Sequence, residues 1–359
     1  MGRSAGRGRA LVVLTLAVSS LAACSTVDGL GYYAQSIGGH LAVLRAARPV
    51  PQWLADEATP ERLRERLALS QRMRDFAVSE LGLPDNASYR RYADVGRPSV
   101  VWNVAAAPEL SLELKTWCFP VAGCVGYRGY YAQADAEAYA APLRDDGLEV
   151  TVFGVPAYST LGKLPGWAWF ADPLLNTFIH WPEGELARLV FHELAHQVAY
   201  AADDTEFNES YATAVERIGG RMWLQRHGAT GALDEYERIE QRRADFRELA
   251  MRTRERLKAV YTGPGSDDDK RQGKAEAMAA MRAEHERLKA GRWGGFAGYD
   301  GWFARANNAS LGMLAAYNAL VPDFERLFER EGRDFVRFHA EVQRIAALPT
   351  REARRAALR

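Results

Sequence analysis

Apolar residues recur at helical spacing over much of the chain, and this pattern predicts a protein built largely from α-helices. Between residues 59 and 81 they return every three or four positions among charged residues, and Gly82 and Pro84 follow where such a helix should end. The same spacing predicts further helices near residues 204–227, 232–260, 270–290, 303–319 and 322–346. Turn residues at 263–269 predict a helical hairpin insertion over about 230–292, whose many charged residues we expect on solvated faces.

The middle of the chain carries a strand pattern instead. Apolar and β-branched runs at residues 100–104, 110–114 and 149–155 predict three strands, with an Ala- and Tyr-rich helix at 129–143 between the last two. A small sheet packed against helices is the expected arrangement of these elements. The predicted fold class is therefore α+β and predominantly helical.

The N-terminus has the pattern of an export signal. Three arginines among the first nine residues precede an apolar run over 11–23 that is too short to span a bilayer, and Cys24 follows two alanines. We expect a lipoprotein signal peptide over residues 1–23, with cleavage before Cys24 and lipid on its thiol. The alternative is an ordinary secretory signal followed by a chance cysteine.

This interpretation sets the expected location and domain plan. Ser25 follows the cysteine, which by resemblance to sorted lipoproteins favours the periplasmic face of the outer membrane of a Gram-negative bacterium. Residues 24–50 are expected to form a tether and a first helix, and residues 51–359 a single domain.

Composition narrows the class of protein further. The chain has 359 residues, of which 48% are hydrophobic and 26% charged, so a globular core is expected. Its formal net charge is zero, which gives no indication of a nucleic-acid partner. A turn between Cys118 and Cys124 could bring them together as a disulfide in an oxidising compartment, although two unpaired thiols are the alternative.

The stretch His192-Glu193-Leu194-Ala195-His196 carries the clearest chemistry. It lies in an apolar run of helical character, and on a helix two histidines four residues apart share one face. Two imidazoles so placed can bind one Zn²⁺, and Glu193 can act as general base toward a water molecule. The alternative is an ordinary helix that happens to carry two histidines.

A third protein ligand is expected downstream, because catalytic zinc usually has three. Asn208-Glu209-x-x-Ala212 resembles the NExxA element of gluzincins, in which a glutamate on the next helix completes the ligand set. The resemblance implies Glu209, and Glu206 is the rival one turn earlier. Glu216 lies seven residues beyond Glu209, so it could orient a zinc histidine or be a surface glutamate.

Several ordered motifs resemble the bacterial "putative aminopeptidase" family of lipoprotein-type zinc peptidases. They are Phe119–Gly123, Tyr127–Tyr131, Pro156–Gly162, Asp172–Leu175, His192–Gln197, Asn208–Thr213 and Asn307–Ala309. The resemblance implies one Zn²⁺ per chain, a peptide substrate, a zincin-like core and the roles of His192, Glu193, His196 and Glu209 given above.

Three questions about the reaction stay open in the sequence. The oxyanion could be stabilised by Tyr158, Tyr211 or Tyr317, of which we favour Tyr317. An aminopeptidase also needs carboxylates for the α-ammonium group, and Glu206 or Asp172 could serve. The expected function is a zinc peptidase, in particular an aminopeptidase, with a zinc endopeptidase or a non-catalytic envelope lipoprotein as alternatives.

Overall fold

Helices make up most of the described chain, as the apolar spacing predicts, and the fold is α+β and predominantly helical. The computed structural model describes residues 31–119, 123–158, 160, 171–316 and 318–359. The predictions for the signal peptide, Cys24 and Tyr317 therefore lie outside the described residues.

The helices are numbered in chain order. They are α1 (31–46), α2 (Val50–Ala55), α3 (Glu61–Ser79), α4 (Gln133–Asp145), α5 (Glu183–Ala195), α6 (Thr205–His227), α7 (Ala232–Thr262), α8 (Asp267–Ala290), α9 (Asp300–Arg305), α10 (Asn308–Ala316), α11 (Val321–Arg330), α12 (Phe335–Ala346) and α13 (Arg351–Leu358). None of the described helices is long and apolar enough to cross a membrane.

The strands form three small sheets. They are β1 (Arg48–Pro49), β2 (Arg91–Ala93), β3 (Val101–Pro108), β4 (Trp117–Phe119), β5 (Gly123–Val125), β6 (Arg128–Tyr130), β7 (Leu148–Val155) and β8 (Leu174–Leu175). The longest strands, β3 and β7, pair antiparallel, with β6 on the other edge of β3. Strands β1, β2 and β8 form a second sheet, and β4 and β5 form a hairpin.

Strand β3 is buried because helices cover it. All its residues except the last are buried, and none of them is charged. Val104 and Ala106 belong to one apolar cluster with Ala136 and Ala140 of α4, while α10 also contacts the strand. The small side chains of β3 and α4 allow close packing of helix on sheet.

The largest apolar core lies among helices α3, α5, α6, α11 and α12. Phe76 of α3 meets Phe191 of α5 and Trp223 of α6, with ring centroids 6.0 and 5.4 Å apart. Because α5 is buried over most of its length, the side chains at its C-terminal end are held firmly against α6.

Helices α7 and α8 form the hairpin that the sequence predicts. Ser266 and Asp269 make a capping box at the start of α8, where the side chain of each accepts a hydrogen bond from the backbone N–H of the other. A second apolar cluster, which includes Phe246, Met281 and Phe303, packs the hairpin onto itself and onto α9.

The prediction of a strand at residues 110–114 is wrong. Residues 109–110 form a turn and 111–116 have no regular structure, although Lys115 N donates to Ala106 O at 2.8 Å. Leu112 is packed against the apolar cluster of the hairpin, and Leu114 lies against Gly312 of α10. The alternating apolar residues are therefore half-buried, with Leu112 and Leu114 packed against helices rather than paired in a strand.

Three predicted helices have different limits. The run at 129–143 begins with strand β6, and its helix starts only at Gln133. The run at 303–319 is interrupted after Arg305, because the Asn308 side chain donates hydrogen bonds to the carbonyls of Pro108 and Glu109. The run at 322–346 breaks at Gly332, whose φ of +73° is the left-handed conformation that ends a helix.

Candidate metal centre

Helix α5 brings the two histidines together as the motif predicts. His192 lies in its last turn and His196 caps its C-terminal end. Their Nε2 atoms are 3.2 Å apart, and the rings meet edge to face. Both imidazoles therefore present the same nitrogen to the same point.

The turn after α5 is fixed by side chains, and this places Glu209. Asp204 caps α6 by accepting a hydrogen bond from Phe207 N. Asn208 bonds both the N–H and the carbonyl of Ala201 at 2.8 Å, which ties the start of α6 to the end of the turn. The Asn of the NExxA-like element therefore acts on the backbone.

Glu209 completes a cluster of three buried ligands. Its Oε2 lies 3.3 Å from His192 Nε2 and 3.6 Å from His196 Nε2. These side chains form one of the two groups of metal-ligating residues found among the described residues. The rival Glu206 instead pairs with Arg355 at 2.8 Å and is absent from the cluster.

The three ligand atoms fit the size of a zinc ion. Ligands about 2.0–2.1 Å from a tetrahedral metal are about 3.3 Å from one another. The observed separations of 3.2, 3.3 and 3.6 Å match this edge length. Two imidazoles and one carboxylate are also a donor set that zinc accepts, so the residues fit the metal that the sequence predicts.

Glu193 lies beside the ligands and lines the same cleft. It is 8% exposed, and this burial raises the pKa of its carboxyl group above the ordinary value. A carboxylate whose pKa approaches the working pH is a more effective general base, because it both accepts and returns a proton readily.

Glu216 supports His192 from the other side of the ring. Its Oε2 lies 3.0 Å from His192 Nδ1, while its other oxygen pairs with Arg188 of α5. Burial opposes ionisation of Glu216, but the interactions with Arg188 and His192 together outweigh it and hold the pKa of the carboxyl at about 2. The carboxylate is therefore ionised at neutral pH and can orient the imidazole.

The hairpin continues this ion-pair network, contrary to the expectation that its charged residues form only solvated faces. Arg188 also pairs with Glu240 of α7, and Arg243 of α7 pairs with both Glu240 and Glu185. Arg188 is 6% exposed, so these pairs are shielded from water. The correction has a physical cause: one face of α7 packs on α5, and buried arginines there need carboxylate partners.

Arg188, Glu240 and Arg243 were not recognised in the sequence. One signal existed, since Arg188 interrupts the apolar run of α5 exactly one helical turn before His192. Its two partners on α7 are indistinguishable from the surface charges around them.

The candidate metal centre lies in a cleft of about 770 Å³. Its acidic and basic residues come from α5, α6 and α7. Aromatic residues from α1, the sheet region and the α5–α6 turn line it as well, among them Tyr32, Phe119, Tyr127, Tyr131, Tyr158 and Tyr200. The cleft thus joins an apolar wall to a charged one.

Of the predicted oxyanion stabilisers in the described chain, only Tyr158 lines this cleft. Its hydroxyl is 2.7 Å from His40 Nδ1. Tyr211 is wrong as a candidate, because it is fully buried in the helical core, where its hydroxyl is 2.8 Å from His339 Nδ1. Tyr317, the favoured candidate, lies outside the described residues.

Asp172 lies in a buried position after the undescribed segment 161–170. Thr160 donates hydrogen bonds to its carboxylate from the backbone N–H and the hydroxyl, at 3.0 and 3.2 Å. Burial outweighs these bonds and raises the pKa of Asp172 to about 7. The Glu193 charge also raises this pKa, so the two carboxyls interact electrostatically.

Cys118 and Cys124 are joined by a disulfide that links β4 to β5. The backbone N–H of Cys124 donates to Asp203 Oδ1 at 2.7 Å. This bond attaches the hairpin to the turn between α5 and α6. Phe119 and Val125, next to the two cysteines, line the cleft.

Comparison with known proteins identifies the class to which this site belongs. A family model described as "Putative aminopeptidase" matches residues 31–358, so the chain belongs to that family. No curated protein sequence and no solved structure match it significantly. The family supports a peptidase at a coarse level, and its description specifies no cofactor.

Proposed function

We propose that this protein is a zinc-dependent peptidase, in particular an aminopeptidase, anchored by lipid at Cys24. The observation that carries the proposal is the convergence of two imidazole nitrogens and one carboxylate oxygen at the edge lengths of a zinc tetrahedron. Family membership independently supports peptide hydrolysis.

The metal and the chain have separate parts in the reaction. His192, His196 and Glu209 would hold Zn²⁺, which acts as a Lewis acid and brings the pKa of a water molecule near neutrality. Glu193 takes a proton from the attacking water and delivers it to the leaving amine. Glu216 and Arg188 keep His192 oriented during these steps.

The preference for an N-terminal residue rests on family membership. Asp172 is the buried carboxyl that could respond to a substrate ammonium group, since its pKa of about 7 would fall when a cation binds. Glu206 is a weaker candidate for this role because Arg355 already neutralises it.

The test uses residues 25–359 of the wild type and Glu193→Gln. Both proteins should contain one zinc ion per chain, and only the wild type should digest a peptide library, as read by mass spectrometry. Equal digestion by the two proteins would exclude Glu193 as the base. A purified protein that does not bind zinc would exclude the metal centre.

N-terminal acetylation separates the two kinds of peptidase. An aminopeptidase should release single residues from free peptides and leave their acetylated forms intact. Equal cleavage of both forms at internal bonds would show an endopeptidase, and binding of zinc without any cleavage would show a non-catalytic protein.

A further inference from the structure

Helix α7 presents an ordered row of side chains to the cleft. Glu240, Arg243 and Arg247 are three and four residues apart, so they follow one face of the helix. Arg243 and Arg247 line the same cleft as the metal-ligating residues. The first two belong to the ion-pair network of Arg188, but Arg247 does not.

Arg247 is a partly buried cation without a close acidic partner. No ion pair or hydrogen bond joins its guanidinium to any residue in the described part of the chain. Burial lowers the pKa of Arg247, and the neighbouring charges of Arg217 and Arg188 lower it further. Glu240 and Tyr299 raise the pKa of Arg247, but the pKa remains below its ordinary value.

The neighbouring carboxylates are already engaged. Glu240 pairs with Arg188 and Arg243, and Glu185 pairs with Arg243. Arg217 lies 3.7 Å from Glu325 and donates to the Asn318 side chain at 3.3 Å. Glu240, Glu185 and Glu325 are therefore already paired with arginines other than Arg247.

The backbone under Arg247 is held in place. Phe246 stacks on Tyr299 with ring centroids 4.5 Å apart. Asp245 accepts a hydrogen bond from Trp293 Nε1 at 3.0 Å. The helix backbone from which the Arg247 side chain extends is therefore anchored on both neighbouring residues. The paired N–H groups of a guanidinium match the two oxygens of a carboxylate.

We propose that Arg247 binds a carboxylate of the peptide substrate and makes carboxylate-bearing peptides the preferred substrates. The inference rests on the proposed peptidase function and specifies its substrate class. The carboxylate can come from the C-terminus of a short peptide or from an Asp or Glu side chain. Both present the same planar, anionic group to the guanidinium.

The experiment compares wild type with Arg247→Gln on two substrate pairs. Tri-alanine and its C-terminal amide test the α-carboxylate, and Ala-Ala-Glu-amide and Ala-Ala-Gln-amide test the side chain. A charge-assisted contact predicts that Arg247→Gln loses about 10–100-fold in kcat/KM on the acid member of one pair, with its neutral partner little affected. The pair that responds identifies the source of the carboxylate.

A matched control lies on the same helix. Arg252 is exposed and pairs with Glu248 at 2.8 Å, so Arg252→Gln should keep the wild-type preference. Equal losses on acid and neutral peptides in Arg247→Gln, or no loss on either pair, would overturn the inference.

Direct binding decides the inference even without turnover. Calorimetry on zinc-loaded Glu193→Gln should show about 10–100-fold tighter binding of the acid than of the neutral peptide in at least one of the two pairs, and Glu193→Gln/Arg247→Gln should bind the acid and neutral peptides of that pair equally. If the acid binds more tightly but wild type hydrolyses no peptide, the proposed peptidase function is wrong and the carboxylate-binding role of Arg247 stands. If wild type hydrolyses peptides but acid and neutral peptides bind equally, the peptidase function stands and the role of Arg247 is wrong.

Discussion

Glu216 Oε2 lies 3.0 Å from His192 Nδ1, while Nε2 of the same ring faces Glu209. Because a neutral imidazole carries one N–H, a proton on Nδ1, beside the Glu216 carboxylate, leaves the Nε2 lone pair for a metal. Arg188 pairs with Glu216 and also with Glu240 of the hairpin. Three consecutive contacts thus connect helix α7 to the candidate metal ligand.

This connection predicts that Glu216→Ala binds zinc more weakly although every ligand remains. Loss of an outer partner of a metal histidine usually weakens affinity by about 10–100-fold. Competition with a chromophoric chelator measures the change. Unchanged affinity would mean that Glu216 does not orient His192.

Arg188→Met should destabilise the fold as well as the metal site. It leaves Glu216 without an arginine partner and Glu240 with Arg243 alone, and breaking a buried pair costs about 3–5 kcal/mol. Arg226→Ala is the matched control, since its ion pair with Glu80 is exposed and worth at most about 1 kcal/mol. Urea unfolding of the two variants checks the difference, and similar losses would contradict the role of Arg188.

Glu209→Ala and Glu206→Ala should separate the two candidate ligands. Glu209 lies within 3.3–3.6 Å of both histidine nitrogens, whereas Glu206 pairs with Arg355. Glu209→Ala should weaken zinc binding more than the roughly 10–100-fold expected for an outer partner. Glu206→Ala should retain one zinc per chain by elemental analysis, and the opposite result would transfer the ligand role to Glu206.

The candidate metal ligands were predictable because their pattern is local. Two histidines one turn apart, and a glutamate on the next helix with twelve residues between it and the second histidine, specify a face and a turn within a single supersecondary unit. Asp204 and Asn208 then fix that turn by hydrogen bonds to nearby backbone atoms.

The supporting network was not predictable from the same pattern. Arg188 and Glu240 are 52 residues apart, and their contact depends on how the hairpin packs on α5. The strand prediction for 110–114 was wrong for the same reason, because Leu112 and Leu114 are half-buried against helices that follow much later in the sequence. The spacing of apolar residues predicts which residues are buried, but it does not predict which elements pack against them.

Tyr211→Phe should affect stability and leave the reaction intact. Its hydroxyl is 2.8 Å from His339 Nδ1 in the helical core, away from the cleft. Loss of this hydrogen bond should cost about 1–2 kcal/mol in the free energy of unfolding, with kcat unchanged. Stability curves and steady-state kinetics on one preparation test this. A large fall in kcat at wild-type stability would restore Tyr211 as an oxyanion stabiliser.

His339 should make stability fall in weak acid. Its Nε2 donates to Leu81 O at 2.8 Å, its Nδ1 accepts from Tyr211, and burial lowers its pKa to about 4 from the ordinary 6.5. Between pH 6.5 and 4 the unfolded chain takes up a proton that the folded chain refuses, so stability decreases as pH falls through this window. The shift corresponds to about 3 kcal/mol when complete.

His339→Gln keeps one donor and one acceptor but cannot titrate. The wild type should therefore lose more stability than His339→Gln between pH 6.5 and 4.5, and the two should run parallel above pH 7. Urea unfolding of chelator-treated protein measures both curves and removes any contribution from bound metal. Parallel curves throughout would show that His339 takes up its proton in the folded state, and the hydrogen bonds to Leu81 and Tyr211 would then have to rearrange.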